Sequence, residues 1–344
     1  TGELADPVGD VTSLLVEHGR IGAFNPPADT ARDRTIDAKG SAVLPGIIDG
    51  HIHPVFGEWT PTQDTIGWIG SYVHGGTTSM VSAGELHLPG LDYNNLTPEL
   101  MTSLALLAKA TTGRIRWSGA KVHAGTLLMV PGMTEEDFDK VADAGTILTK
   151  FLFYPLSLEN KEEAQRYVRW CHERGLRVKV HTGGVSRSGL NAVCGFETLS
   201  WLQPDIAAHI SGGPIPMPDE DLDELVDNTE FALEICSSGN YRSAIRAVER
   251  LAKAGRLDRL TLGTDTPGGT GVLARGMLRN MIFLSSVVGL TAGEVIAVAT
   301  GNTAKAHGLD TGMLKPGMPA DLVIAGRIDG SAGTTLTEAI EHGD

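Results

Sequence analysis

Between residues 42 and 308, short apolar or β-branched runs alternate eight times with amphipathic runs, and no other feature of the sequence limits the fold so strongly. The strand candidates are "AVLPGIIDGHIHP", "TTSMVSAG", "RWSGAKVHAG", "TILTKFLFYPL", "RVKVHTGG", "IAAHISGG", "FALEICSSG" and "LTLGTDTPGG", several of them ending in Gly or Pro as strand-to-loop turns do. Parallel strands need a crossover to reach one another, so a strand and helix repeated eight times predict an α/β fold, a TIM-like (β/α)8 barrel. An open doubly wound sheet is the alternative, but no GxGxxG follows the first run. Among the helical runs, "TEEDFDKVADAG" and "NKEEAQRYVRWCHERG" place Thr134 and Asn160 as N-caps with acids in the first turn, and both runs stop at Gly.

The two ends of the chain differ from its middle. "VTSLLVEHGRIGAF" reads as two strands joined at His18 and Gly19, and "GMLKPGMPADLVIAG" is again β-like. The expectation is a barrel over 42–308 and one small β-sandwich domain formed from both chain termini, residues 1–41 and 309–344.

Composition narrows the classes of function. A formal charge of -14 leaves no basic face for phosphate, so neither nucleic acid nor an anionic membrane surface is an expected partner. The longest apolar stretch, "MIFLSSVVGL", is too short to span a bilayer. "TGELADPVGD" lacks the basic and apolar regions of a signal peptide, and the three cysteines, Cys171, Cys194 and Cys236, have no metal-ligand spacing. A cytoplasmic protein with thiols packed as small core residues is expected.

A barrel of this kind carries its active site at the C-terminal ends of its strands. His51 and His53 stand two apart on the first strand and therefore share a face. Lys150 belongs to strand four, His181 to five, His209 to six and Asp265 to eight, so all six residues meet at one mouth. Imidazole and carboxylate are common ligands of divalent ions, zinc first, with iron, manganese or cobalt as alternatives. A single strand histidine is more often a hydrogen-bonded core residue; the paired His51 and His53 shift that balance.

Lys150 sits among apolar neighbours, where an ammonium is costly. Either its amine snorkels to solvent, or burial and nearby cations hold it neutral and it captures carbon dioxide as a carbamate able to bridge two metals. The second reading agrees with the histidines. Asp265 is either a turn residue beside Pro267 or a ligand that also shuttles a proton from the attacking water to a leaving nitrogen. His74, His87 and His123 are candidate substrate contacts, with Glu85 beside them; for each a structural or solvent-facing role is as good a reading, and Arg279 reads as a helix surface charge.

With His51 and His53 on strand one, Lys150 on four, His181 and His209 on five and six, and Asp265 on eight, the chain resembles the metal-dependent amidohydrolase superfamily. Longer stretches, among them "PGIIDGHIHP", "HGGTTSMVSAG", "HISGGP" and "GTDTPGGTG", are similar to the branch that hydrolyses cyclic enamides. That resemblance implies hydrolysis of an amide-type C–N bond in a small cyclic amide, enamide or lactam by a metal-bridging hydroxide, in a homo-oligomer. The enamide-hydrolysing branch bridges its metals through a strand-four glutamate; Lys150 departs from that pattern and implies instead the carbamylated lysine of dihydroorotase-like members. Two other functions stay open: a superfamily deaminase, disfavoured by "TGGV" after His181 where a glutamate is expected, and a non-catalytic metal-binding scaffold.

Overall fold

The computed structural model describes residues 1–54, 67–88, 90–114, 119–184, 193–212, 215–326 and 329–344. Its centre is an α/β barrel of parallel strands. One arc is β4 (Ile47–Ile52), β5 (Thr77–Ser82) and β6 (Lys121–His123), paired in that order. The other runs through β7 (Leu127–Met129), β8 (Leu148–Phe151), β9 (Arg177–His181), β10 (Ile206–Ala208), β11 (Ala232–Cys236) and β12 (Leu260–Gly263).

The arcs adjoin on two sides. β6 and β7 are successive pieces of the third strand, the first pairing with β5 and the second with β8. At the seam between the first and last strands, Asp265 N donates to His51 O (2.8 Å) and His53 N to Thr266 O (2.7 Å). Residues 116–118 of the third strand candidate and Gly213 of the sixth lie outside the described residues.

Each strand is followed by a helix: Trp68–Tyr72, Pro98–Thr112, Glu135–Asp143, Lys161–Glu173, Phe196–Leu202, Asp219–Asn228, Tyr241–Lys253 and Gly276–Ser286. The helix Tyr241–Lys253 shows why such runs dock: Ala244, Ala247, Val248 and Leu251 recur at helical spacing, and all are buried. Thr134 caps its helix as expected, its backbone N–H donating to Asp137 (2.9 Å) in a capping box. Asn160 does not. A 3₁₀ turn, Leu158–Asn160, precedes its helix, and the Asn160 amide is spent on Pro155 O (3.0 Å) and Ser157 Oγ (3.3 Å).

The termini assemble around two antiparallel pairs. β1 (Leu14–Glu17) and β2 (Arg20–Phe24) form the expected hairpin, with His18 (φ 51°) and Gly19 (φ 75°) both left-handed, as its two-residue turn requires. β3 (Ala42–Pro45) pairs with β13 (Leu322–Ala325), and Ile21 N bonds Met318 O (2.9 Å) to connect the two pairs.

This differs from the single first strand expected over 42–54. The run breaks at Gly46, where a Cβ would collide with Thr78. Ala42–Pro45 joins the C-terminal strand, while Ile47–Ile52 enters the barrel. The C-terminal stretch is also less β-like than expected: past β13 the chain forms the helix Leu336–His342, whose Ile340 belongs to the main hydrophobic core. "MIFLSSVVGL" spends its first part in the helix Gly276–Ser286, and no helix among the described residues is long and apolar enough to cross a membrane.

The core lies between barrel wall and helices. Phe138, fully buried, packs its ring 5.3 Å from Tyr167 and 5.5 Å from Trp170, fastening the helices after strands three and four to each other. Phe138→Ala is expected to cost about 3–5 kcal/mol, read as a lower urea midpoint at unchanged slope.

Candidate metal centre

The pleat delivers the first ligand pair. His51 and His53 project from β4 and its end onto the inner face, with ring centroids 5.1 Å apart. Asp265, just past β12, places Oδ1 3.1 Å from His53 Nε2 and 3.6 Å from His51 Nε2. Lys150, in the middle of β8 and 1% exposed, puts Nζ 3.0 Å from His51 Nε2. The ring of His209 lies 5.3 Å from that of His51 and 4.4 Å from that of His181 at the end of β9. All six residues singled out in the sequence therefore converge.

Backbone conformation helps to aim them. His209 (φ 39°) and Asp265 (φ 61°) leave their strands in the left-handed region, which non-glycine residues enter at a cost. A Cβ on Gly269 would collide with the Asp265 carboxylate, so the loop after the last strand can close over this side chain only as glycine.

Burial sets the protonation states. It depresses His51 well below the ordinary imidazole range, assisted by the positive Lys150 and Lys179. His181 is driven down by burial and by His209, and His209 falls to about 4 for the first of these reasons. These rings are neutral near pH 7, the form that binds metals. Burial lowers the Lys150 amine to about 8. Asp265 experiences the upward push of burial, but the hydrogen bond from His53 and the imidazoles around it outweigh that push and hold it well below the usual carboxylate range.

These residues suit a divalent cation. His51, His53 and Asp265 offer ligand atoms within 4.8 Å of one another, all buried. His181 Nε2 and His209 Nδ1 are buried with no hydrogen-bond partner among the described residues. Leaving such atoms unpaired costs about 1–3 kcal/mol each, a cost a metal–ligand bond removes.

The weaker candidates divide. His87 joins the cluster, its ring 5.0 Å from His53, and burial together with His53 lowers it to about 3. Glu85 is buried near the end of β5, where it accepts from Ser82 Oγ (3.1 Å). His74 is exposed in the 3₁₀ turn Val73–Gly75, which leads into the N-terminal end of β5, away from the mouth. His123 ends only the first piece of the third strand and lies among Lys109, Lys121 and Asp321, outside the cluster. Arg279 is exposed on its helix.

Three buried charged residues beside this cluster, Asp49, Lys179 and Glu234, had not been singled out. Asp49 accepts from Thr264 N (2.9 Å), Thr264 Oγ1 (2.5 Å) and His51 N (3.2 Å). Glu234 bonds His51 Nδ1 (2.6 Å) and Lys179 Nζ (2.7 Å). The signal for two of them was the same period of two that revealed the histidines: Asp49 precedes His51 by two, and Lys179 precedes His181 by two. Glu234 was visible as the lone acid in "FALEICSSG".

A parallel barrel with imidazoles and a carboxylate gathered at its strand ends defines the class, and the match to a family model confirms it: residues 42–336 match the amidohydrolase family, and the chain belongs to that family. It is 35% identical over 347 residues to enamidase of Eubacterium barkeri, covering 100% of this chain and 89% of that protein. A crystal structure of enamidase superposes with a TM-score of 0.93 at 35% identity, with the same coverage of each chain.

More distantly, 5'-deoxyadenosine deaminase of Methanosarcina barkeri (strain Fusaro / DSM 804) is 24% identical over 91% of this chain and 79% of its own. N-acetyl-D-glucosamine-6-phosphate deacetylase from Mycobacterium smegmatis shares the fold at a TM-score of 0.59 and 16% identity, covering 90% of this chain and 89% of that one. The chain is thus an enamidase-like amidohydrolase, a hydrolase of carbon–nitrogen bonds other than peptide bonds.

Burial raises the Glu85 carboxyl from 4.5 to about 8, so the native state holds a proton that the unfolded chain releases across that interval. Stability contributed by the protonated form is lost as pH climbs from the lower value to the higher. Glu85→Gln, which cannot ionise, is expected to flatten the fall of the denaturation midpoint of metal-free protein over this window.

Proposed function

We propose that this chain opens a small cyclic amide, enamide or lactam by hydrolysis, using two divalent ions held by His51, His53, Lys150, His181, His209 and Asp265. The observation that carries this reading is the convergence of these groups, with His181 Nε2 and His209 Nδ1 lacking hydrogen-bond partners among the described residues. Full-length similarity to enamidase supports the cyclic-enamide class of substrate. Zinc is the first ion expected, then iron, manganese or cobalt. Bound at such a site, the ions supply Lewis acidity, lowering the pKa of water and polarising a carbonyl.

The chain's own residues do the rest. Burial lowers the Lys150 amine to about 8, so about a tenth of it is neutral near pH 7, far more than for an exposed lysine. Its nitrogen adds to the carbon of carbon dioxide and loses a proton, so an anionic carbamate with two oxygens replaces a single nitrogen donor. A carbamate on Lys150 would offer oxygen donors to the ions in place of the amine. His51 and His53 anchor one side of the site, with Asp265 between their Nε2 atoms, and His181 with His209 anchor the other.

Asp265, ionised at working pH, accepts the proton of the attacking water at a carboxylate oxygen and delivers it to the leaving nitrogen. His87, neutral and beside His53, faces the same space and is the substrate contact we favour.

Metal analysis of gently purified protein is expected to show about two equivalents per chain. Metal-loaded protein that opens no member of a panel of cyclic amides, enamides and lactams overturns the assignment. Lys150→Ala is expected to lose metal and activity together, with partial recovery in added short carboxylic acids; undiminished activity refutes the carbamate. Asp265→Asn should lower kcat by about 10²–10⁴-fold, measured at saturating metal.

A further inference from the structure

Beneath the proposed metal centre the barrel interior carries an ion pair where branched aliphatic side chains usually pack. Lys179 on β9 and Glu234 on β11 are both fully buried. Their polar atoms are specifically engaged: Glu234 Oε1 lies 2.6 Å from His51 Nδ1, Glu234 Oε2 2.7 Å from Lys179 Nζ, and Lys179 Nζ 2.7 Å from Gly50 O. The backbone of β4 is shaped to the pair. A Cβ on Gly50 would stand 2.8 Å from Leu262 O, 2.9 Å from His307 Cε1 and 3.1 Å from Glu234 Oε2, too close for any residue but glycine. A buried pair of this kind seldom adds net stability over well-packed apolar residues, so its presence at this spot needs another reason.

We propose that Glu234 and Lys179 are positioning residues that keep His51 as the neutral tautomer with its proton on Nδ1 and its Nε2 lone pair directed at the metal centre. The inference rests on the metal reading above and names the device that supports one of its ligands.

The two histidines of the first strand are held differently. His53 Nδ1 meets a neutral carbonyl, Gly84 O, at 2.8 Å, whereas His51 Nδ1 meets a carboxylate. A carboxylate behind an imidazole fixes the ring and raises its donor strength. Lys179 engages the other carboxylate oxygen, so Glu234 is held with Oε1 presented to His51 Nδ1. The same ammonium grips Gly50 O, so the residue next to the ligand is fixed as well. The far side of the ring agrees, since His51 Nε2 faces Lys150 Nζ at 3.0 Å and Asp265 Oδ1 at 3.6 Å.

The test compares wild type with Glu234→Gln, which keeps the shape and removes the charge, and with Glu234→Leu/Lys179→Met, which replaces the pair by apolar groups. Zinc affinity is measured by chelator competition, metal-free stability by denaturant, and the His51 tautomer in the metal-free proteins from its ring ¹⁵N shifts. The expected result is zinc affinity weakened about 10–100-fold in both variants. In the double variant the metal-free fold stays as stable as wild type while the His51 proton distributes over both nitrogens.

If Glu234→Gln fails to fold, the double variant decides. Zinc affinity within about twofold of wild type, or an unchanged tautomer in the double variant, overturns the positioning role and leaves the metal reading intact. A wild-type chain that takes up no zinc, iron, manganese or cobalt overturns both.

Discussion

The seam between the first and last barrel strands is the constraint on which the rest of the site depends. Asp49 stitches it from below through Thr264, and the backbone bonds Asp265 N to His51 O and His53 N to Thr266 O stitch it above. Three of the six proposed ligands, His51, His53 and Asp265, are residues of this seam or its immediate neighbours. Their spacing is therefore set by main-chain hydrogen bonds rather than by long side chains, which would lose more rotamer entropy on ordering. Burial raises Asp49 to about 7, so the residue that closes the barrel does so against a desolvation penalty offset by its three hydrogen bonds.

Polarity is layered inside the barrel. At the strand ends lie the imidazoles, Lys150 and Asp265; one level down lie Lys179 and Glu234, paired with each other. Outside the wall the order is reversed, with Phe138, Tyr167 and other apolar groups filling the gap to the helices. The packed apolar shell encloses this polar interior, at whose mouth His181 Nε2 and His209 Nδ1 have no hydrogen-bond partner among the described residues.

The barrel and its six convergent residues were legible because both rest on simple periodicities: strand–helix alternation along the chain and the two-residue pleat within a strand. The break at Gly46 was not, because "AVLPGIIDGHIHP" reads as one run and the partner that takes Ala42–Pro45 into a different sheet, Leu322–Ala325, is remote in sequence. His74 was drawn towards the site by its nearness to a strand, but it precedes that strand. His123 was misplaced because the third strand is made of two pieces, and its apparent end falls below the mouth. Glu234 and Lys179 explain each other only when β9 and β11 are brought around the barrel, since neither has a partner nearby in sequence.

The pairing of β3 with β13 has a bearing on how the molecule comes into being. The segment that leads straight into His51 finds its sheet partner only at Leu322–Ala325, close to the far end of the polypeptide. Closing that pair joins segments about 280 residues apart, a long-range contact whose loop-closure entropy must be met before it forms. The ligand strand β4 is held by its neighbour β5 and by the residues after β12, while the segment leading into it is held by a partner from the other end of the barrel sequence.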